Sequence, residues 1–174
     1  MKFSLLITVF ILIISACNSQ EQKQKVPFQS KSDFDESMIE SHKRFLDKSS
    51  KEITEYINRS NYTFETSGTG LRYTTLEKGS GVQPKKGNEV KIEYSIQFLD
   101  GEPVMEYATP KVMSFYIEQS DVETGLHEAL QLMKVGEKAE FIFPPHLAFG
   151  ISGDRNGIPP QSTLIYTIEL LATR

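Results

Sequence analysis

The most regular pattern in the chain is a strict alternation between residues 90 and 98. Val90, Ile92, Tyr94, Ile96 and Phe98 share one parity, while Lys91, Glu93, Ser95 and Gln97 fill the other. Side chains of a strand point to opposite faces in turn, so this run predicts a half-buried antiparallel strand. The turn pair Asp100-Gly101 ends it. Met113, Phe115 and Ile117 mark a second short strand, Ala139, Phe141 and Phe143 another, and Leu164, Tyr166, Ile168 and Leu170 the last. Between them Leu126, Ala129, Leu130 and Met133 recur every three or four positions. That spacing predicts one short helix over Thr124–Gly136, with Gly136 ending it. The sum is an α+β domain over residues 68–174, a curved antiparallel sheet with one face wrapped on a single short helix.

The pattern upstream is different. Residues 32–67 form a helical N-terminal segment. Its first part, residues 32–59, lacks Gly and Pro and places Phe34, Met38, Phe45, Leu46, Ile53, Tyr56 and Ile57 mostly on one side of a helix. Ser32 or Asp33 is suited to cap its start, and Ser49-Ser50 predicts an interruption. Such a face packs on something, either its own domain or a second copy, which makes a homodimer through residues 32–59 one expectation. Residues 17–31 are polar and Gln/Lys-rich and read as a flexible tether. Residues 1–16 pair Lys2 with a short apolar run and small residues, the pattern of an export signal. The order Ile14-Ser15-Ala16-Cys17 resembles a bacterial lipoprotein signal, which makes Cys17 the expected lipid attachment point. That places the chain in the bacterial cell envelope as a lipid-anchored protein. Asn18 rather than Asp after the cysteine points to the outer membrane, facing the periplasm.

Composition narrows the chemistry. The chain has a formal net charge of −4, and removal of residues 1–16 takes away only Lys2, so no electrostatic footprint for nucleic acid exists. A single cysteine excludes an internal disulfide, and the absence of Trp leaves no indole platform for sugars or bases. His42, His127 and His146 lack metal-ligand spacing, so neither a metal nor any other cofactor is expected. Gly68-Thr69-Gly70 precedes a strand, not a helix, and is no phosphate loop. Asp121 with Glu123, and Asp154 with Arg155, read as solvated turn charges, and no serine sits at a strand-to-helix elbow.

The stretch FIFPPHLAFGISGDRNGIPPQSTLIYTIELL, from Phe141 to Leu171, reads as strand, long loop and strand. Loops of that length in compact domains usually carry function. Together with V-x-I-x-Y from Val90, F-L-D-G, G-L-x-E-A-L and M-K-V-G-E-K-A, and the turn G-x-G-x-x-P-x-x-G that ends at Gly87, it resembles the FKBP-type peptidyl-prolyl cis-trans isomerases. The order of lipoprotein signal, short helical segment and this domain also resembles isomerase-like lipoproteins associated with gliding motility in some bacteria.

The resemblance implies a pocket, position by position. Tyr94 stands where the family has a pocket-wall Tyr, Tyr166 where an aromatic closes another wall, and Ile158 at the loop Ile before Pro159-Pro160. Val122 and Glu123 match a Val-Ile pair whose second backbone N–H contacts the ligand. The departures are Leu126 for a Trp at the floor, Phe149 for a Tyr whose hydroxyl donates to a bound carbonyl, Val104-Met105 for a Phe-Asp pair, and Met113 for a Phe. Tyr94, Phe149 and Tyr166 are the candidate catalytic residues; Val104, Met105, Met113, Val122, Glu123, Leu126 and Ile158 are the candidate substrate contacts. The implied activity is isomerisation of prolyl bonds in proline-containing or unfolded exported polypeptides, reduced by these losses. The alternative is a non-catalytic FKBP-like module that binds exported or motility proteins.

Overall fold

The computed structural model describes residues 31–174, so the export signal, Cys17 and all but the last residue of the tether lie outside the described residues. The chain opens with α1, Lys31–Arg59. Five antiparallel pairings then join β1 (Glu65–Thr66), β2 (Arg72–Glu77), β3 (Glu89–Phe98), β4 (Lys111–Tyr116), β5 (Lys138–Phe143) and β6 (Leu164–Thr173) into one sheet. The strand order is β1-β2-β5-β6-β3-β4. A short helix α2, Thr124–Leu132, lies between β4 and β5 in sequence.

The alternation read from β3 holds. Val90, Ile92 and Ile96 are buried, and Tyr94 and Phe98 pack on the same core at partial exposure. α2 covers that face with Leu126, Ala129 and Leu130, against Phe141, Phe143, Leu164, Tyr166 and Ile168. Its N-terminal Gly125 sits so close to β5 that an added Cβ would come within 2.8 Å of the Phe143 ring and of the Leu147 carbonyl. The helix ends earlier than its apolar period suggests. Met133 turns extended and drops its side chain into the core, so the stripe continues in space after the helix has stopped. Gly136 serves the following turn, at φ +82°, and donates its N–H to the Leu170 carbonyl at 2.8 Å.

The fold divides inside α1, between Ile39 and Glu40. On the first side of that division Phe34, Met38 and Ile39 are exposed. On the second, Ile53 is buried against Ile142 and Ile165, with Tyr56, Ile57, Phe64 and Leu99 packed around them. Ile142 and Ile165 are register partners on β5 and β6, and they point away from α2. The sheet is therefore covered on both faces, and residues 40–59 of α1 pack on their own domain, one of the two expectations for that apolar side.

The expected break at Ser49-Ser50 is absent. Ser49 is buried and its hydroxyl shares a 3.0 Å hydrogen bond with that of Thr163, while Thr54 donates to the Ser50 carbonyl inside the helix at 2.8 Å. Serine is unfavourable in a helix when its hydroxyl competes for local backbone, and here the Ser49 hydroxyl has a tertiary partner instead. Pairs Glu40–Arg44, Lys48–Glu52 and Lys51–Glu55 at i,i+4 lace the outer face at 3.7–3.9 Å. Exposed pairs of this kind add only a few tenths of a kcal/mol each. Among the described residues no helix is long and apolar enough to cross a membrane.

Candidate functional site

The site grows from a line of stacked rings. Phe143 of β5 lies against Tyr166 of β6 with ring centroids 4.4 Å apart and planes 18° apart. Tyr166 in turn stacks on Tyr94 of β3 at 6.3 Å and 13°, and Tyr94 meets Tyr107 at 6.0 Å. The registers Phe141↔Tyr166 and Ile96↔Tyr166 set this line, because they fix which neighbouring strand residues share a face with Tyr166. Tyr166 is completely buried, so it is the floor under Tyr94 and not an open wall.

Above this floor is a cleft of about 410 Å³, within the size range of ligand sites. Its apolar lining is Tyr94, Ile96 and Tyr107 on one side, Met113, Val122 and Leu126 on another, and Ala148 with Phe149 at the mouth of the long loop. Asp121, Glu123 and Thr124 supply the polar lining. The long loop holds its shape by its own bonds. Gly150 donates to the Pro145 carbonyl at 2.9 Å, Gln161 to the Gly150 carbonyl at 2.8 Å, and Ile158 to a carboxylate oxygen of Asp154 at 2.7 Å.

Six of the ten residues predicted for the pocket line this cleft: Tyr94, Phe149, Met113, Val122, Glu123 and Leu126. Val104 and Ile158 are buried in the core behind it and act as supports. Met105 is the correction. It is 86% exposed and is neither pocket wall nor core. Residues 105–107 form a 3₁₀ turn in which Tyr107 donates its N–H to the Val104 carbonyl at 2.7 Å. Residues three apart in a 3₁₀ turn lie above one another, so with Val104 inside, Tyr107 is inside and Met105 is out. Tyr107 was missed for this reason, although an aromatic three residues after a buried Val in a Pro-bounded segment was the available signal.

Glu123 lines the cleft as a predicted contact, and only its second reading, as a turn charge, is corrected. It precedes the first turn of α2 and is half-buried in the cleft, where a solvated turn charge was expected. The Tyr166 hydroxyl donates to its carboxylate at a long 3.4 Å. Burial pushes the carboxyl above its usual range, an effect partly offset by its own backbone N–H, by the Tyr166 hydroxyl and by His127. The backbone donor that the sequence reading left open to a ligand thus lies within reach of the residue's own carboxylate. Burial also raises the phenols: Tyr94 is pushed up to about 12, with Tyr107, Glu123 and Glu106 adding to the effect, and Tyr107 is raised by burial and then by Glu106. Tyr166 is raised as well, by burial first and then by Glu123, so all three tyrosines are neutral hydrogen-bonding groups at physiological pH.

No described group of His, Cys, Asp and Glu residues is arranged to hold a metal ion. His127 accepts from the Glu118 N–H at 3.0 Å and reaches the Ser120 carbonyl at 3.1 Å, and His146 reaches the Thr69 carbonyl at 3.0 Å. A larger groove of about 1050 Å³ runs between the last turns of α1, the tip of β3 and residues 159–163. Most of its lining, including Glu52, Glu55, Arg59, Tyr62 and Asp100, is exposed, so it is an open surface trough where the helix leaves the sheet.

This arrangement of sheet and helix is shared with known proteins. A peptidyl-prolyl cis-trans isomerase from Pseudomonas syringae pv. tomato superposes with a TM-score of 0.63 at 23% identity, over 75% of this chain and 94% of that one. The crystal structure of FkpA from Escherichia coli gives 0.60 at 28% identity, over 100% of this chain and 82% of that one. In sequence, FkpA of Escherichia coli K12 is 38% identical over 108 residues, which is 62% of this chain and 39% of the relative. A probable FkpA from Neisseria meningitidis is 30% identical over 156 residues, covering 88% of this chain and 57% of the relative. The outer membrane protein MIP of Legionella longbeachae is 33% identical over 61% of this chain and 45% of the relative. The matched parts are about two fifths to three fifths of these curated relatives' lengths. Residues 80–171, more than half of the chain, match the family model described as FKBP-type peptidyl-prolyl cis-trans isomerase, and the chain belongs to that family.

Proposed function

We propose that this chain catalyses cis-trans isomerisation of prolyl bonds in exported polypeptides and so assists their folding. The observation that carries the reading is the aromatic-walled cleft over the buried Tyr166–Phe143 stack, with Tyr94, Tyr107 and Phe149 in its lining. Rotation about the peptide bond breaks amide resonance, a barrier of roughly 18–20 kcal/mol. The twisted amide has lost its resonance dipole and is less polar than the planar one. Apolar cleft walls therefore stabilise it relative to the ground state better than water does. The step asks for no nucleophile, acid, base or metal. Uncatalysed isomerisation takes tens to hundreds of seconds, slow enough to limit folding.

Catalysis is weaker than in a pocket with a full set of hydrogen-bond donors. Phe149 brings no hydroxyl to the mouth, and Met105, pointing outward, brings no carboxylate to the wall. The same two features favour the second reading, a module that holds proline-containing segments without turning them over. A protease-coupled assay on Ala-Xaa-Pro-Phe peptides separates the two. Turnover above background that is lost in Tyr94→Ala supports the enzyme, and a flat result from folded protein supports the binding module.

The finer assignments belong to this reading as well. The Ile14-Ser15-Ala16-Cys17 sequence supports acylation at Cys17 and a place at the outer membrane facing the periplasm. Palmitate labelling that persists in Cys17→Ser would overturn it. The exposed Phe34, Met38 and Ile39 on α1 support a homodimer through residues 32–59, which a monomeric mass in solution would reject. A role in gliding motility rests on the order of segments alone and fails if deletion leaves cell movement unchanged.

A further inference from the structure

We propose that Glu123 sets substrate choice, favouring segments with a Lys or Arg directly before the isomerised proline. The inference rests on the isomerase reading and goes beyond it to a substrate class. Three observations carry it. Glu123 stands inside the cleft, with the Tyr166 hydroxyl 3.4 Å from its carboxylate and the rings of Tyr94 and Tyr107 close by. Among the described residues, Asp121 is the other charged residue lining the cleft and no Lys or Arg lines it. Lys111 lies 4.5 Å over the Tyr107 ring and is paired with Glu106 at 3.2 Å, so its charge is already offset, and the two ring nitrogens of His127 are already engaged by the Glu118 N–H and the Ser120 carbonyl.

A carboxylate accepts at about four lone-pair positions. Glu123 is half-buried and receives only one long bond, from the Tyr166 hydroxyl, among those the structure shows. An incoming ammonium or guanidinium supplies the short, charge-assisted bonds that the site lacks. The same geometry acts against an acidic substrate residue, which would meet Asp121 and Glu123 together. Selectivity then comes as much from rejection as from attraction.

The test uses the full chain in detergent micelles with Ala-Xaa-Pro-Phe peptides in which Xaa is Lys, Leu or Glu. Both kcat/KM and peptide binding by fluorescence titration are measured for wild type, Glu123→Gln and Asp121→Asn. The ratio between Lys and Glu peptides is the readout, so a general loss of activity does not affect it. We expect the wild-type ratio to exceed about fivefold, the scale of one partly exposed ion pair. It should fall toward one in Glu123→Gln, shift less in Asp121→Asn, and shrink in high salt. A wild-type ratio near one, or an unchanged ratio in Glu123→Gln, overturns the proposal. Binding that keeps the Lys preference without turnover of any peptide upholds the role of Glu123 and overturns the isomerase reading alone.

Discussion

At the scale of single residues, Phe149 and Glu123 set the chemistry of the cleft in opposite ways. Phe149 withholds a hydroxyl at the mouth, so Phe149→Tyr should restore a donor to a bound carbonyl. One hydrogen bond adds about 0.5–1.5 kcal/mol net, so kcat/KM should rise roughly two- to tenfold if that bond strengthens in the transition state. A rise in affinity with kcat unchanged would show that the contact is made equally in the ground state. Glu123 carries a stability consequence. Its folded-state pKa lies above the ordinary 4.5, because burial disfavours the charged form. A carboxyl shifted upward contributes stability that is fully present below the unfolded pKa and is lost as pH rises through the folded value. Glu123→Gln removes that loss. Its stability relative to wild type should therefore improve between pH 4 and pH 7, read from urea midpoints, and a pH-independent difference would contradict the shift. Tyr107 shows what a sequence pattern cannot supply at this scale. Strand parity and helix period were both legible, but a three-residue 3₁₀ turn between Val104 and Tyr107 obeys neither, so nothing in the pattern corrected the place the resemblance gave Met105, and Tyr107 was overlooked.

Among the elements, α1 depends on a small set of contacts for its attachment to the sheet. Its second half meets the outer face through Ile53 and through the Tyr56 hydroxyl, which donates to Glu140 of β5 at 3.0 Å. Burial and the nearby Glu140 carboxylate push Tyr56 up to about 12, so it remains a donor across the working pH range. Tyr56→Phe should cost about 1 kcal/mol by leaving a half-buried carboxylate without this donor, measurable as a lower urea midpoint. Ile53→Ala should cost about 2 kcal/mol, near the low end for a buried Ile, since its core comprises only three fully buried residues. This packing was half legible. The helix itself could be read from its period and its freedom from Gly and Pro. The face it covers could not, because Ile142 and Ile165 sit within the continuous apolar runs Phe141–Phe143 and Leu164–Tyr166, where attention to one parity hides the other. Apolar residues at both parities of a strand indicate cover on both faces, and that signal was present.

For the molecule as a whole, the two covered faces divide the labour. α2 and the stacked rings build the cleft on one face, while residues 40–59 of α1 seal Ile142 and Ile165 on the other. No residue of α1 lines the cleft. The architecture therefore predicts that stability and solubility can be separated from turnover. A chain lacking residues 1–61 should unfold at lower urea and associate, because Ile142, Ile165, Phe64 and Leu99 would form an apolar patch on an open sheet face. Replacing Ile142 and Ile165 with Thr in that shortened chain keeps β-branched side chains in the strands and should restore a monomer by removing the patch. Turnover per folded molecule should survive in this variant, since the Tyr94, Tyr166 and Phe143 rings keep their strand registers. Size-exclusion chromatography and the peptide assay on the same samples decide the matter. A folded, monomeric variant without turnover would mean that α1 holds β5 and β6 at the angle the rings require, making the helix part of the site through the sheet itself.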